Sequence, residues 1–197
     1  MIGRPHMRRQ AGMVLITTLL LLVIVTLLAL SMFRGMGLEN RIAGNTLAKQ
    51  RALQAATSAQ QYAEQWLVNN VTAYPAIDCS ANPGATVTAP TICSNILSNS
   101  VTSVTAVPWS IGSTQVGHSY NPTNSSGSSY FNVTSTGGTD AYEAAPVFYI
   151  SQLGQDATYS NGVDYRIDAW SYAGTARTVA VVESTYRIRY ISRAPGP

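Results

Sequence analysis

The sequence predicts an α+β fold, in which a long N-terminal helix packs against an antiparallel sheet formed by the end of the chain. An uncharged apolar run extends from Met13 to Phe33. A second helical pattern without proline continues from Leu38 to Leu67. Short apolar segments separated by turn residues follow after residue 145 and are typical of strands.

The apolar run is long enough to cross a membrane. It has 21 residues and contains no charged residue, proline or glycine, and a helix of about 20 such residues spans the bilayer core. Arg8 and Arg9 precede it, so the positive-inside rule places the N-terminus in the cytoplasm and the rest outside. A cleaved secretory signal is disfavoured, because the run is long for one and no small-residue cleavage site follows it.

Charge argues against nucleic-acid binding. The chain has 12 Lys and Arg residues against 9 Asp and Glu residues. Three of the basic residues, Arg4, Arg8 and Arg9, precede the apolar run, so the remainder is balanced. A balanced chain has no field that gathers nucleic acid.

The second helical segment carries a stripe of small residues that favours close packing. Its members recur at spacings of four and three on one helix face: Ala52, Ala56, Ala59 and Ala63. The helical period assigns four larger residues to the same face: Leu38, Ile42, Leu53 and Leu67. Lys49 interrupts the stripe, and Gly35 with Gly37 is the weak joint between the two helical segments.

The N-terminal region resembles a prepilin. A short basic leader ends in Gly12, and the apolar stretch follows directly, as RRQAGMVLITTLLLLVIVTLLALSMF. The continuation resembles the N-terminal region of PilX-type minor pilins of the type IV pilus: MFRGMGLENRIAGNTLAKQRALQAATSAQQYAE. The C-terminal run is similar to the end of the same family: YRIDAWSYAGTARTVAVVESTYRIRY. The implied fold is pilin-like.

The resemblance implies processing, location and partners. A prepilin peptidase is expected to cleave after Gly12, and the new N-terminal residue Met13 is expected to be N-methylated. The expected segments are a leader at 1–12, a transmembrane and pilus-core helix at 13–33, an amphipathic continuation at 34–68 and a periplasmic β-rich domain at 69–197. The subunit is expected to span the inner membrane once and then to join an extracellular pilus. The further partners implied are other minor pilins, the major pilin and a tip adhesin; no cofactor is implied.

One position departs from the family. Most pilins carry glutamate at the fifth mature residue, where this chain has Thr17. That glutamate neutralises the N-terminal ammonium of a neighbouring subunit, and an unpaired charge in hydrocarbon is costly. A subunit without it suits the top of a filament. In the alternative interpretation, which is compatible with the first, Thr17 only donates a hydrogen bond to its own helix.

The last third of the chain predicts strands. The expected segments are 146–151, 164–173 and 177–191, with a hairpin turn at Gly174 and Thr175. One face of the last strand is mostly apolar: Ala180, Val182, Tyr186, Ile188 and Tyr190. The other face is polar: Glu183, Thr185, Arg187 and Arg189. This alternation predicts a sheet with one solvated side.

The middle of the chain is uninformative apart from two cysteines. Asp78 is the only Asp, Glu, Lys or Arg residue between 67 and 139, a stretch rich in Ser, Thr and Asn. Export to an oxidising periplasm favours a disulfide between Cys79 and Cys93. A redox or metal pair is disfavoured, because the spacing is not C-x-x-C and no histidine is near.

No catalytic constellation is visible. His6 lies in the leader and His118 in a polar loop. Asp156, Asn161 and Asp164 are oxygen ligands of the kind Ca²⁺ binds, but their spacing matches no EF-hand loop, and turn chemistry is favoured.

Three functional hypotheses follow. The first is a minor pilin that helps initiate pilus assembly at or near the tip, with roles in twitching motility and adhesion. The second is a tip pseudopilin of type II secretion, which also lacks the glutamate but usually carries a helical insertion that this Ser/Thr-rich middle does not suggest. The third is a membrane-anchored periplasmic enzyme, which needs an active site that the sequence does not show.

A Gly12→Val variant tests the processing hypothesis. The added side chain would crowd the bond to Met13 in the peptidase site, so the variant should accumulate at precursor size. Immunoblotting and N-terminal sequencing measure this. A wild-type chain that keeps its leader in membranes with active peptidase would contradict the prepilin interpretation.

Overall fold

The structure is a computed structural model of the 197-residue chain. It describes residues 11–72, 75–97, 110–111, 114–134, 140–158, 161–174 and 178–189. The chain forms two compact units, Met1–Gly44 and Asn45–Pro197. Its long helix and antiparallel-rich sheet confirm the predicted α+β class. Residues 1–10 of the expected leader, the turn residue Thr175 and the C-terminal Tyr190 lie outside the described residues.

Two helices are present in the described residues. Helix α1 comprises Ala11–Asn70, and the short helix α2 comprises Ala85–Thr88. Proline is absent from α1, so no residue of this span lacks the backbone donor that a helix needs. In the unit Asn45–Pro197, the residues of α1 bury one face against the sheet.

Three long strands at the end of the chain build the main sheet. They are joined antiparallel in the order β5, β6 and β7: Val147–Gln155, Gly162–Tyr172 and Val179–Arg189. The prediction of three strands in this region is confirmed, although β5 continues four residues beyond the expected end at Ser151.

Short strands from the middle of the chain complete the sheets. Strand β1, Ile92–Cys93, pairs with β5 in parallel, and β4, His118–Ser119, pairs with β5 antiparallel. Strands β2 and β3, Ser110–Ile111 and Thr114–Gln115, form a separate two-stranded sheet. Among the described residues, the short strands that pair with the main sheet do so at β5.

The alanine stripe of α1 is the buried face of the helix. All four of its members have no exposed surface: Ala52, Ala56, Ala59 and Ala63. With Leu67 below them, the last two pack into a cluster that includes Ile167 and Ala169 of β6. The predicted contact between the stripe and the sheet is confirmed within this unit.

Two larger residues assigned to the same helix face are exposed instead. Leu53 is 48% exposed and Ile42 is 57% exposed. Leu53 lies roughly a quarter turn from the centre of the alanine stripe, so the sheet does not reach it. Lys49 is accommodated at the end of the stripe, where its Nζ donates a hydrogen bond to the carbonyl oxygen of Val179.

The prediction of one solvated sheet side is correct for β7 and wrong for β5 and β6. Odd-numbered residues of β7, such as Glu183 and Thr185, are exposed. On the same side of the sheet, however, Tyr149 of β5 and Trp170 of β6 are 2% and 1% exposed. Their cover is the segment that contains the cysteines, which packs on this second face of the sheet.

The packing of the alanine stripe predicts that the stability of the fold depends strongly on side-chain size at these positions. Ala59→Leu should lower the free energy of unfolding by roughly 1–3 kcal/mol, because the added atoms have no space between helix and sheet. Gln61→Leu is the matched control, since Gln61 is exposed on the same helix. Denaturation of the detergent-solubilised proteins measures both. Equal stability of the Ala59 variant and the wild type would contradict the packing.

Candidate assembly site

The segment Met13–Phe33 of α1 is the candidate surface for membrane insertion and filament packing. Among the described residues it is the one helical segment long and apolar enough to cross a membrane, with a mean hydropathy of 3.0. None of its most apolar window is buried within the chain. An apolar surface of this length needs lipid or another protein chain around it.

The threonine hydroxyl groups of this segment are occupied within the helix. Thr17 Oγ1 donates to the carbonyl oxygen of Val14 at 3.0 Å, and Thr18 Oγ1 donates to that of Leu15 at 2.9 Å. This is the usual arrangement for threonine in an apolar helix. Since the segment has no charged residue, it offers hydrocarbon contacts and no ion pair.

The disulfide holds the cover of the second sheet face. The structure joins Cys79 to Cys93, the pairing that the sequence predicts, and neither residue has exposed surface. Ile77 N donates to Ile92 O at 3.0 Å, and Ser94 N donates to Ile77 O at 2.8 Å. The two halves of the loop are thereby tied to each other and to strand β1.

A glycine beside this cover lets the backbone lie close to the side chains of Val147 and Trp170. Gly117 has φ +118°, a backbone conformation that L side chains rarely adopt. A Cβ atom there would come within 2.5 Å of Val147 Cγ1 and 2.6 Å of Trp170 Cη2. Gly117 could not be predicted from the sequence, because a lone glycine in a glycine-containing loop gives no signal of a close backbone contact.

A buried ionic group lies under the same cover, and the sequence analysis missed it. Asp168 has no exposed surface, and its Oδ2 is 3.1 Å from Arg166 Nε. Glu183 Oε2 is 3.8 Å from the same nitrogen. Burial raises the pKa of Asp168 to about 6; the Arg166 guanidinium opposes this shift and Glu183 adds to it. The sequence contained one signal of this buried group: Arg166 and Asp168 alternate onto the same side of the strand as Trp170.

The acidic turn after β5 is neutralised by an arginine. Asp156 is buried and forms an ion pair with Arg187, and Asp164 Oδ1 accepts a hydrogen bond from Arg187 Nε at 2.8 Å. Asp156 Oδ1 also accepts the backbone N–H of Thr158, as in an Asx turn. The cation beside these carboxylates is therefore a guanidinium. In the described part of the chain, no group of three or more His, Cys, Asp or Glu residues is arranged to hold a metal.

Comparison with known families identifies the N-terminal part of the chain. The family model described as PilX N-terminal matches residues 11–61, about a quarter of the chain. Residues 11–61 are therefore similar to the N-terminal region of PilX-type pilins. The comparison with curated proteins found no match, and the comparison with solved structures found none either.

The family assignment agrees with the geometry of the site. PilX-type pilins are structural rather than catalytic, and pilins interact with other components of a pilus. The matched range begins at Ala11, contains the whole apolar segment Met13–Phe33 and continues through the alanine stripe almost to Ala63. The apolar segment of α1 is consistent with single-pass membrane anchoring.

Removal of the disulfide should destabilise the unit Asn45–Pro197. Pairing Cys79 with Cys93 closes a loop of about 15 residues, worth about 3 kcal/mol by loop entropy. A Cys79→Ser, Cys93→Ser double variant should therefore unfold at lower denaturant concentration than the oxidised wild type. Reductant should shift the wild type to the same midpoint and leave the variant unchanged. Free thiols in the unreduced, denatured wild type would contradict the pairing.

Proposed function

We propose that this PilX-type chain is a type IV pilus minor pilin that helps initiate assembly and stays at or near the filament tip. The observation that carries the proposal is the uncharged fifth mature position. Thr17 has no carboxylate, and its hydroxyl is directed to the carbonyl of Val14 in its own helix. The remainder of the apolar segment is suited to packing among other pilin helices.

The processing steps form part of the proposal. Cleavage between Gly12 and Met13 leaves a mature chain whose first residue bears an ammonium group, and methylation of Met13 retains its charge. The leader 1–12 stays cytoplasmic, 13–33 spans the inner membrane, and 34–68 continues the helix. The domain 69–197 lies in the periplasm before assembly and outside the cell afterwards.

Charge pairing explains the tip location. In a filament shaft, the carboxylate of each added subunit neutralises the ammonium of the subunit above it. A buried charge without a partner is strongly destabilising, typically by several kcal/mol. A chain with Thr17 does not neutralise a subunit above, yet its own ammonium at Met13 is neutralised by a glutamate-bearing subunit added below. It is therefore suited to begin a filament and poorly suited to extend one.

The proposed partners follow from this position. The prepilin peptidase processes the chain, other minor pilins form the initiating complex with it, and the major pilin is added beneath that complex. A tip adhesin is the further partner that a tip position brings close. Twitching motility and surface adhesion then depend on this subunit through the number of pili.

Immunogold labelling of sheared pili tests the location. The wild-type subunit should be labelled at filament ends, and deletion should reduce surface pili without reducing synthesis of the major pilin. Thr17→Glu should extend the label into the shafts, because the variant supplies the missing carboxylate. Thr18→Glu is the matched control: its carboxylate lies one residue further along the helix, about 100° around the axis, and should not extend the label.

The result that would sink the tip assignment is wild-type label spread evenly along the shafts. Thr17 would then be an ordinary hydroxyl residue of an apolar helix. Normal piliation in the deletion strain would refute the role in initiation.

A further inference from the structure

The second face of the sheet holds a carboxyl group with an unpaired oxygen. Asp168 lies in the middle of β6, with Tyr149 of β5 and Glu183 of β7 as its register neighbours. Its Oδ2 is paired with Arg166, whereas Oδ1 is buried without a hydrogen-bond partner among the described residues. An ionised carboxylate in this position loses the hydrogen bonds of water at both oxygens, and the described residues replace them at Oδ2 alone.

Two hydrogen bonds hold a short loop segment against the residues that flank this carboxyl. Arg166 Nη2 donates to the carbonyl oxygen of Leu97 at 3.4 Å, and the Tyr149 hydroxyl donates to that of Asn95 at 3.0 Å. Cys79 N donates to Asn95 Oδ1 at 2.9 Å, which ties the segment to the disulfide loop. We call residues 95–97 the cover segment.

We propose that the cover segment is a proton-controlled lid, which closes over Asp168 when the carboxyl is protonated and opens more often when the carboxyl is ionised. Opening breaks the Arg166 and Tyr149 hydrogen bonds and admits water to the carboxylate. It also uncovers the aromatic surface that includes Trp170. This inference concerns the unit Asn45–Pro197 and does not depend on where the subunit lies in a pilus.

The direction of the pH dependence follows from linkage. In the closed form, burial raises the pKa of Asp168 to about 6, and hydration in the open form returns the pKa toward its ordinary value of 3.8. The closed form therefore binds the proton more tightly, and protonation favours closure. Between these two pH values the open population rises with pH, by at most about 160-fold, because the two pKa values differ by about 2.2. Below and above this window it is constant.

The other charged groups around the carboxyl have separable contributions. Burial raises the pKa of Tyr149, which stays neutral. Hydrogen bonds from Ser80 lower the pKa of Asp78, which stays ionised. Glu183 faces Arg166 from β7, so a Glu183→Gln variant separates its contribution from that of Asp168.

One further group changes charge near this range. Burial lowers the pKa of His118 from 6.5. Its ring packs edge-on against Phe148, which lies on the helix-facing side of β5, opposite to Asp168. Its titration is therefore expected to persist in a variant that lacks the Asp168 carboxyl.

Hydrogen–deuterium exchange of the full-length protein in detergent micelles tests the lid. The amides of residues 94–97 are followed between pH 4.5 and 7.0, and the rates are corrected for the chemical pH dependence of exchange. In the wild type the corrected rate should rise with pH and level off above about 6, by at most about 160-fold. Asp168→Asn should show a flat profile, and Asp140→Asn, at an exposed position, should behave as the wild type.

Tyr149→Phe provides a second variant that keeps the titrating carboxyl. It removes the hydrogen bond to Asn95, so exchange should be faster at every pH while the rise with pH remains. A flat wild-type profile would overturn the proposal, even if the Asp168 variant fails to fold. The wild-type rise persisting in Asp168→Asn, or its loss in Glu183→Gln alone, would also overturn it.

Discussion

The close contact between the alanine stripe and the sheet is the interaction on which the unit Asn45–Pro197 depends. Methyl side chains bring the backbone of α1 near β6 and β7, and the aromatic and branched residues of the strands fill the remaining space. Close-packed interiors transmit small changes in volume, so this spacing also determines where neighbouring side chains lie. Because the helix covers only one side of the sheet, the second side needs another cover. The disulfide loop supplies it.

Local periodicity explains what could be predicted from the sequence. The alanines recur with the helical period, and the last strand alternates between apolar and polar residues, so both elements and their buried faces follow directly. The buried face of β6 does not follow in this way, because it mixes Arg166 and Asp168 with Trp170. Such a mixture has no apolar period. Its burial depends on a cover from residues 77–97, far away in the sequence.

In the candidate assembly site, too, the features that depend on adjacent residues could be predicted, whereas those that depend on residues far apart in the sequence could not. Gly12, Met13 and Thr17 could be proposed from the sequence because the expected leader, cleavage position and fifth mature residue all depend on adjacent residues. The structure adds the hydrogen bond that occupies the Thr17 hydroxyl. By contrast, the Ser- and Thr-rich middle carries no periodic signal, so the positive φ of Gly117 and its approach to Trp170 became visible only in the folded chain.

The order of elements along the chain has a consequence for the timing of folding. The alanine stripe is complete by Ala63, whereas its partner strands begin at Val147 and end at Arg189. A chain that is synthesised from its N-terminus therefore exposes the stripe long before the strands arrive. Contacts with such long sequence separation form slowly, since the intervening loop must first be closed. The long helix is thus complete while the strands that cover its alanine stripe are still unfolded, and the pairing of β6 with β7 completes the sheet.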